Sequence, residues 1–524
     1  MPDTDLKNYF THEQPFGPVQ AIKTKDPLIF ESLFYKKNLL YEEMSHRPSL
    51  IVGRRGAGKT VFLRSVILNP TYSVIVELPP EQAFRDVVRT IEEMCTGVVF
   101  VEEIRNIWDV VLWSALFIEM LRSEKCHGLG GLEKLGQYTS GLGIEPRMGV
   151  YTVMRKVVEI IKERGGSHPM AMIADFVDQI AFNGVVFGEA RDTCLSFLTD
   201  NNMCAIILLD SLDQFPIDSQ TMGHALAGLL KAQAEFHPPG SPVEMRCCLP
   251  AELYHIFMHL SSNPNKDFHR KVLLHWHPAE LLRLAAQRYA QYLKLYRPEA
   301  YESKFRYLDL NTRKGAVKFW NQILPPQIKN RLNGTENTIP YVLRHTQLLP
   351  RQLLIYCNEI GARNLTKTGD PLHFGADAVL DGIYEPEATI CSEIFSAFKY
   401  AHPGAQEACE QCIPYLPRHF TDGEFHTAYN RHGKGIQGVY DYQDFKTLLQ
   451  EIGAVGRVTK IADRFVEGIF EYTLPHRLIT TSEDRLCLHP VFTEVFRAQK
   501  TEGDARPVYP FGCNIDTEEY RDVR

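Results

Sequence analysis

A glycine-rich segment near the start of the chain has the residue spacing that can hold a polyphosphate. Gly53, Gly58, Lys59 and Thr60 follow the pattern Gly-x4-Gly-Lys-Thr. Successive backbone N–H groups can point inward around a β-phosphate only where small residues permit the turn. Lys59 would then lie against the β- and γ-phosphates, and the Thr60 hydroxyl would bind Mg²⁺. The segment therefore predicts a nucleoside triphosphate site.

The predicted nucleotide contacts all lie in this loop and in the helical turn that follows it, whose N-terminal end adds positive potential. Arg54 and Arg55 could touch phosphate, although solvated loop arginines are the simpler interpretation. The residues predicted to bind the nucleotide are Gly53, Arg55, Gly56, Ala57, Gly58, Lys59, Thr60 and Val61.

A carboxylate at the end of a later apolar run supplies a second part of the site. Asp210 directly follows Ile206-Ile207-Leu208-Leu209, which predicts a buried strand. An aspartate in this position holds Mg²⁺ through its water shell, whereas the alternative is a carboxylate that caps the next turn. We predict that Thr60 and Asp210 bind the metal ion.

Hydrolysis needs a further group that orients the attacking water, commonly an acid directly after the metal-binding aspartate. Ser211 occupies that position, and Asp213 is the predicted substitute, with a helix-capping acid as the open alternative. The guanine-reading pattern Asn-Lys-x-Asp is missing, since Asn265-Lys266-Asp267 lacks the spacer. The predicted cofactors are ATP and Mg²⁺, and the predicted catalytic residues here are Lys59, Asp210 and Asp213.

The elements around these residues predict an α/β fold. Strands separated by helices indicate a parallel sheet covered on both faces, with the ligand at the carboxyl ends of its strands. Residues 30–44 and 60–68 are predicted helices, 81–200 a helical insertion with a mobile glycine-rich loop at 127–149, and 278–383 all helix. The predicted strands are 49–52, 73–78, 205–209, 243–249 and 271–276.

The chain resembles P-loop ATPases of the AAA+, STAND and origin-recognition groups, in particular bacterial proteins with a helical insertion and a C-terminal winged helix. The resemblance rests on residues 51–60, 208–213, 348–354 and 448–456. It implies a P-loop NTPase sheet sandwiched by helices, with a helical insertion, a helical lid and a winged-helix domain. The implied boundaries are an N-terminal helical segment 1–47, a core 48–277, a lid 278–383, a winged-helix-like domain 384–498 and an extended tail 499–524.

The same resemblance implies a role for an arginine of the lid. Arg351 would reach the γ-phosphate and couple the nucleotide to the position of the lid, whereas the alternative is an arginine that pairs with an acid on a helix surface. Relatives usually end their fourth strand in a polar residue, but here Pro250 stands there, with Glu252 nearby. Arginine fingers that act on a neighbouring subunit would come from Arg270, Arg283 or Arg288, with a surface charge as the simpler interpretation of each.

The C-terminal pattern of a helix followed by two strands predicts a winged helix. The candidate recognition helix, 441–452, carries three acids and one lysine, which is the wrong sign for a nucleic-acid backbone. Arg457, Lys460 and Arg464 make the wing basic, so DNA contact through the wing stays an alternative to a packing or autoinhibitory module.

The composition and charge of the chain restrict the partners and the cellular compartment that we expect for it. The net charge of −7 and pI of about 6.3 give no general attraction to nucleic acid or to an anionic membrane. Residues 98–121 contain five ionisable side chains, which argue against a membrane span. Twelve cysteines without a framework pattern predict reduced thiols in the cytoplasm, and Cys409 and Cys412 fit no common zinc spacing.

These observations favour an ATP-driven molecular switch that passes its nucleotide state to protein partners or to further copies of itself. The family resemblance extends this to bacterial stress or anti-phage defence. Two alternatives remain: an ATP-dependent DNA-binding or loading factor like the origin-recognition proteins, and a nucleotide-held scaffold with little turnover, which Ser211 would permit.

Overall fold

A computed structural model of the 524-residue chain divides into two compact units. Unit 1 comprises Met1–Tyr35, Arg55–Gly58 and His275–Arg524, and unit 2 comprises Lys36–Arg54 and Lys59–Leu274. The residues that the structure describes are 5–22, 24, 26–35, 47–78, 101–145, 147–165, 181–182, 184–210, 220–236, 238, 240–254, 258, 270–473, 477–499 and 506–511.

Unit 2 is built on a five-stranded parallel sheet and also contains a small antiparallel hairpin. The sheet order is β2-β5-β6-β1-β7, and β3 pairs with β4 in the hairpin. The strands are β1 Leu50–Gly53, β2 Tyr72–Leu78, β3 Ala181–Phe182, β4 Val185–Val186, β5 Cys204–Leu209, β6 Val243–Pro250 and β7 Lys271–Leu274.

The central strands of this sheet are apolar because helices cover the sheet. Every residue of β1 and β6 is buried, as are five of the six residues of β5. The helices Val101–Arg122 and Gln220–Glu235 belong to the same hydrophobic core, in which the Trp108 indole donates a hydrogen bond to the Ala225 carbonyl over 3.0 Å. The predicted parallel sheet flanked by helices is therefore confirmed.

Helices also make up most of the described insertion, with two departures from the prediction: the β3–β4 hairpin, and a helix inside the predicted loop. The segment predicted as a mobile loop, 127–149, contains the helix Glu133–Gly141. That helix forms because Leu135, Tyr138 and Thr139 lie at the spacing of one helical face and are all buried. The helices of unit 2 are Lys59–Arg64, Val101–Arg122, Glu133–Gly141, Val150–Gly165, Phe187–Asp200 and Gln220–Glu235.

The first part of unit 1 is a helical assembly onto which the N-terminal segment packs. Asn358 accepts from the Phe16 backbone N–H at 2.8 Å and donates to the Gly17 carbonyl at 2.9 Å, while the Phe16 ring stacks on Tyr289 and Trp320. The helices are Pro27–Leu33, Pro278–Tyr296, Pro298–Lys304, Arg313–Ile323, Thr338–Arg344, Pro350–Thr368 and Ala376–Tyr384.

Two predictions for this region need correction. The helix predicted at 30–44 begins at Pro27, where Asp26 caps it, and ends at Leu33, while residues 36–46 lie outside the described residues. The region 278–383 is not all helix, because β8 Gln327–Lys329 pairs with β9 Thr335–Asn337. Three-residue strands are too short to give a periodic pattern in the sequence.

The C-terminal part of unit 1 contains a five-stranded sheet with short helices around it. The helix predicted at 441–452 is present as Tyr442–Glu451. The strand order is β10-β13-β11-β12-β14, and the description of this region as a winged helix stays a prediction. The strands are β10 His419–Thr421, β11 Val455–Ile461, β12 Val466–Ile469, β13 Arg485–Leu488 and β14 Val508–Tyr509, and the helices are Glu387–Phe398, Ala405–Cys412, Asp422–Ala428, Tyr442–Glu451 and Pro490–Val495.

Part of the predicted extended tail is a strand of this sheet. Val508 and Tyr509 form β14, which pairs in parallel with β12. In the described part of the chain, no helix combines the length and the apolarity that a membrane crossing demands.

Candidate nucleotide site

The predicted phosphate-binding lysine begins the helix that follows β1. Lys59 is buried, and its ammonium donates to the Gly53 carbonyl at 2.9 Å and to the Arg54 carbonyl at 3.2 Å. Val61 lies half-buried in the first turn of the same helix. The lysine is thus held at the carboxyl end of β1, the edge of a parallel sheet at which ligands bind.

The two predicted metal-binding residues contact each other directly. The Thr60 hydroxyl donates a hydrogen bond to Oδ2 of Asp210 over 2.7 Å, across 150 positions of sequence. Asp210 follows the last residue of β5, and Thr60 is the second residue of its helix. Sheet pairing therefore brings a hydroxyl and a carboxylate together where one cation can contact both.

The second oxygen of Asp210 is suited to a hard cation. Oδ1 is buried, and no donor among the described residues reaches it in hydrogen-bond geometry. A buried carboxylate oxygen without a partner is costly, and Mg²⁺ prefers oxygen ligands of this kind. The residues present therefore fit a magnesium ion held by Thr60 and Asp210.

A buried thiol on the neighbouring strand lies beside this carboxylate. Leu209 pairs with Cys247 in the register of β5 and β6, so the next residue of β6, Cys248, lies next to Asp210. Burial, followed by the charge of Asp210, raises the pKa of the Cys248 thiol well above its usual value. The thiol is a neutral neighbour of the predicted metal site and was not predicted from the sequence.

The end of β6 carries an acid that pairs with the phosphate loop. Glu252 lies two residues after Pro250, and its buried carboxylate is 3.8 Å from Nε of Arg54. This ion pair positions Arg54, so the arginine that was considered as a solvated loop residue is held by an acid.

Within unit 1, the loop residues contact the start of the helix that carries the predicted lid arginine. The Arg351 backbone N–H donates to the Gly56 carbonyl at 3.3 Å. Gly56 and Gly58 have φ of +88° and +92°, a backbone conformation that favours glycine. A Cβ added to Gly56 would lie 3.1 Å from Cβ of Arg351, whereas one added to Gly58 would meet open space.

Two further contacts hold the loop within unit 1. The exposed Arg55 donates through Nη1 to the Ser396 hydroxyl at 2.9 Å, so it contacts the helix Glu387–Phe398. The Trp276 indole donates to the carbonyl of the buried Ala57 at 2.8 Å. Trp276 lies two residues after β7, and its position at the end of a strand is the sequence feature from which its contact with the loop could have been predicted. No sequence feature indicated the contact of Ser396.

The start of the Arg351 helix is fixed by its own loop and by the C-terminal sheet region. Leu348 has a φ of +53°, a strained value for a non-glycine residue, and its N–H donates to the Thr346 hydroxyl. The Gln347 backbone N–H donates to Gln352, and its side chain donates to the Ile452 carbonyl at 2.9 Å. These bonds couple the position of Arg351 to the segment after the helix Tyr442–Glu451.

Other predicted residues lie away from these contacts or outside the described part. Asp213 and Ser211 lie outside the described residues. Of the arginines considered to act on a neighbouring subunit, Arg270 is exposed and Arg283 donates to the Asn311 carbonyl at 3.3 Å. Nη1 of Arg288 is enclosed in unit 1, which is unsuited to a group that must project outward.

The cysteine pair that was weighed as a zinc site is part of the core. Cys409 and Cys412 are buried, and burial raises the pKa of both thiols. The histidines on either side of this pair in the sequence have other partners: His402 contacts Glu451, and His419 contacts Arg506. Among the described residues, no three histidine, cysteine or acidic side chains cluster in a way that would hold a metal ion.

Comparisons with known proteins find solved structures that resemble this chain, but they identify no family. No protein-family model and no curated protein matches this chain. Among solved structures, the Walker-type ATPase of Pyrococcus abyssi is 12% identical with a TM-score of 0.41, over 91% of this chain and 99% of that chain. The ORC2 protein of Aeropyrum pernix, described as ADPNP–ADP complexes, is 12% identical with a TM-score of 0.40, over 92% of this chain and 96% of that chain. Likenesses of this size do not indicate what this chain binds.

Proposed function

We propose that this chain is an ATP-binding and ATP-hydrolysing molecular switch that acts in the cytoplasm on protein partners or further copies of itself. The observation that carries the proposal is the 2.7 Å hydrogen bond between the Thr60 hydroxyl and Asp210. The two groups are joined across unrelated segments of sequence at the carboxyl edge of a parallel sheet, beside the buried Lys59. This is the combination that triphosphate binding with Mg²⁺ requires.

The roles of the residues follow from their chemistry. Lys59 would neutralise charge on the β- and γ-phosphates, and the backbone of Gly53–Thr60 would surround the β-phosphate. Thr60 and Asp210 would hold Mg²⁺, which supplies charge neutralisation during phosphoryl transfer. Asp213 is the proposed group that orients water, and Arg351 the proposed reader of the γ-phosphate.

The switch itself is supported by the contacts of the phosphate loop within unit 1. Gly56 contacts the start of the Arg351 helix, and Arg55 contacts Ser396 of a later helix. A phosphate that draws Arg351 or Arg55 toward itself would change one or both contacts. Nucleotide state would thereby reach the lid and the C-terminal region, which is the proposed relay.

The test measures ATP binding and phosphate release by the wild type, Lys59→Ala and Asp213→Ala, with Mg²⁺, and with or without duplex or single-stranded DNA. We expect binding and release by the wild type, neither by Lys59→Ala, and slowed release with intact binding by Asp213→Ala. Stimulation by DNA would favour the DNA-binding factor instead. ATP binding without release under every condition would favour the scaffold.

A further inference from the structure

Unit 1 contains a cavity of about 320 Å³ that takes no residue from the phosphate loop. Its walls come from the end of the helix Pro27–Leu33 with the two residues after it, from the middle of Pro278–Tyr296, and from residues 301–311. This volume is at the lower end of the range for pockets that bind small molecules. It is large enough for a ligand with a ring and one charged group.

One wall of the cavity carries an arginine that forms no ion pair with any of the described residues. Nη1 of Arg288 is buried, and no acceptor among the described residues meets it in hydrogen-bond geometry. Burial lowers the pKa of Arg288 to about 10, and no carboxylate of the described residues offsets that effect. A buried guanidinium nitrogen without an acceptor is costly, and an anionic ligand would supply that acceptor.

A second cation lines the cavity, beside an aromatic ring. The Lys294 ammonium lies 5.0 Å from the centre of the Tyr301 ring, and both residues line the cavity. Two acids, Glu31 and Asp309, also line it, but both side chains are exposed and lie at the rim. Lys294 is exposed as well, so among the four charged residues of this lining only Arg288 is partly buried.

We propose that this cavity binds a small phosphate monoester, with the phosphate paired to Arg288 and within reach of Lys294. A dianionic phosphate matches two cations better than a carboxylate does, and a guanidinium fork pairs with it through two hydrogen bonds. The site is separate from the proposed ATP site and does not rest on ATP binding. Its occupancy would tie the N-terminal segment to the helix Pro278–Tyr296.

The experiment uses the full chain and phenyl phosphate as the probe, with calorimetric titration and thermal unfolding as readouts. We expect phenyl phosphate to bind the wild type and to raise its melting temperature. Arg288→Met should weaken binding by about 10-fold or more, because a charged hydrogen bond is lost. Without the probe this variant should melt at the same temperature or higher, since an apolar side chain replaces an unpaired buried charge.

Controls separate this site from the phosphate loop and from general charge effects. Arg306→Met removes an exposed arginine of the same unit and should leave binding unchanged. Lys59→Ala should also bind phenyl phosphate normally, and loss of binding in that variant would place the probe in the phosphate loop and overturn the proposal. Equal binding by Arg288→Met, or tighter binding of benzoate than of phenyl phosphate, would overturn it as well.

Discussion

The backbone N–H of Arg351 donates a hydrogen bond to the carbonyl oxygen of Gly56 over 3.3 Å. Arg351 is the second residue of its helix, where N–H groups have no acceptor within the helix. Pro350, the first residue, has no N–H to satisfy. The phosphate loop thus supplies an acceptor for the helix. A shift of Gly56 would therefore move the first turn of the helix, which contains Arg351.

Replacing Gly56 by alanine tests this contact. The positive φ alone would cost ~1–3 kcal/mol of unfolding free energy. The added Cβ would also press on Cβ of Arg351, 3.1 Å away, which adds about 1 kcal/mol or more. Gly58→Ala is the matched control, because its φ is similar and its Cβ meets open space. In urea unfolding without nucleotide, equal losses for both variants would show that the contact with Arg351 is not stabilising.

The Arg351 side chain has a separate role to test. Arg351→Ala keeps the backbone N–H that bonds Gly56, so the chain without nucleotide should retain its stability. If the guanidinium reads the γ-phosphate, ATP turnover should fall by about 10-fold or more while ADP affinity changes little. Arg363→Ala, on the same helix and paired with Glu359, is the control. Unchanged turnover in Arg351→Ala would assign the arginine to helix packing.

Thr60 and Asp210 should act together on the metal ion. Asp210→Asn removes the charge that Mg²⁺ needs, and Thr60→Ala removes the hydroxyl, so each should raise the Mg²⁺ concentration required for ATP binding by about 10-fold or more. Thr60→Ser keeps the hydroxyl and should behave like the wild type. Titration of Mg²⁺ at fixed ATP measures the effect. A Mg²⁺ requirement that neither variant alters would remove both residues from the metal site.

The sheet and the phosphate loop could be predicted because their signals are local. Gly53–Thr60 has a fixed spacing, and Asp210 follows an apolar run that is long enough to stand out. The order of the strands is not local: β5 lies between β2 and β6, and the pairing of β5 with β6 places Cys248 next to Asp210. Its thiol has no sequence signal, because a buried cysteine in a strand looks like any small apolar residue.

Long-range polar contacts were also outside the reach of sequence patterns. Tyr509 was placed in an extended tail, but its hydroxyl bonds Glu336, 173 positions earlier. Glu336 itself lies in a three-residue strand, in a region that the sequence pattern predicted to be helical. Oδ1 of Asn330 closes the hairpin by accepting hydrogen bonds from the Leu332 and Gly334 N–H groups. This turn can be recognised in the sequence only when the two strands beside it are known.

The buried carboxylate of Glu336 makes Tyr509 important for stability. Oε2 accepts from the Tyr509 hydroxyl at 2.6 Å, while Arg344 and Asn330 satisfy the rest of the group. Burial opposes ionisation, but the ion pair with Arg344 and these hydrogen bonds outweigh it and lower the pKa of Glu336. Tyr509→Phe should cost about 1.5–3 kcal/mol in urea unfolding. Tyr440→Phe, at a side chain that is 90% exposed, should cost nothing measurable, and the same result for Tyr509→Phe would contradict the network.

The buried pair of Glu387 and His345 should make stability depend on pH. Oε1 of Glu387 lies 2.7 Å from Nδ1 of His345, and both side chains are 4% exposed. Burial raises the pKa of Glu387 from 4.5 to about 8, and burial lowers the pKa of His345 well below 6.5. The pair is therefore neutral near pH 7, with the protonated carboxyl donating to the imidazole.

The direction of the pH dependence follows from whether the folded or the unfolded chain releases the Glu387 proton at the lower pH. Between pH 4.5 and about 8 the unfolded chain ionises Glu387 while the folded chain retains the proton, so stability falls as pH rises. Above pH 6.5 the histidine is neutral in both states, which leaves Glu387 alone in the window from 6.5 to 8. The loss across that window should be on the order of 2 kcal/mol.

Glu387→Gln isolates this contribution, because the carboxamide can still donate to His345 but cannot ionise. We expect its unfolding free energy to be flatter with pH from 6.5 to 8, and to exceed that of the wild type at pH 8. Glu483→Gln removes an exposed carboxylate and should keep the wild-type slope. Urea unfolding at closely spaced pH values measures both. If Glu387→Gln retains the wild-type slope, the pH dependence arises elsewhere, and the Glu387 carboxyl is ionised in the folded chain at pH 7.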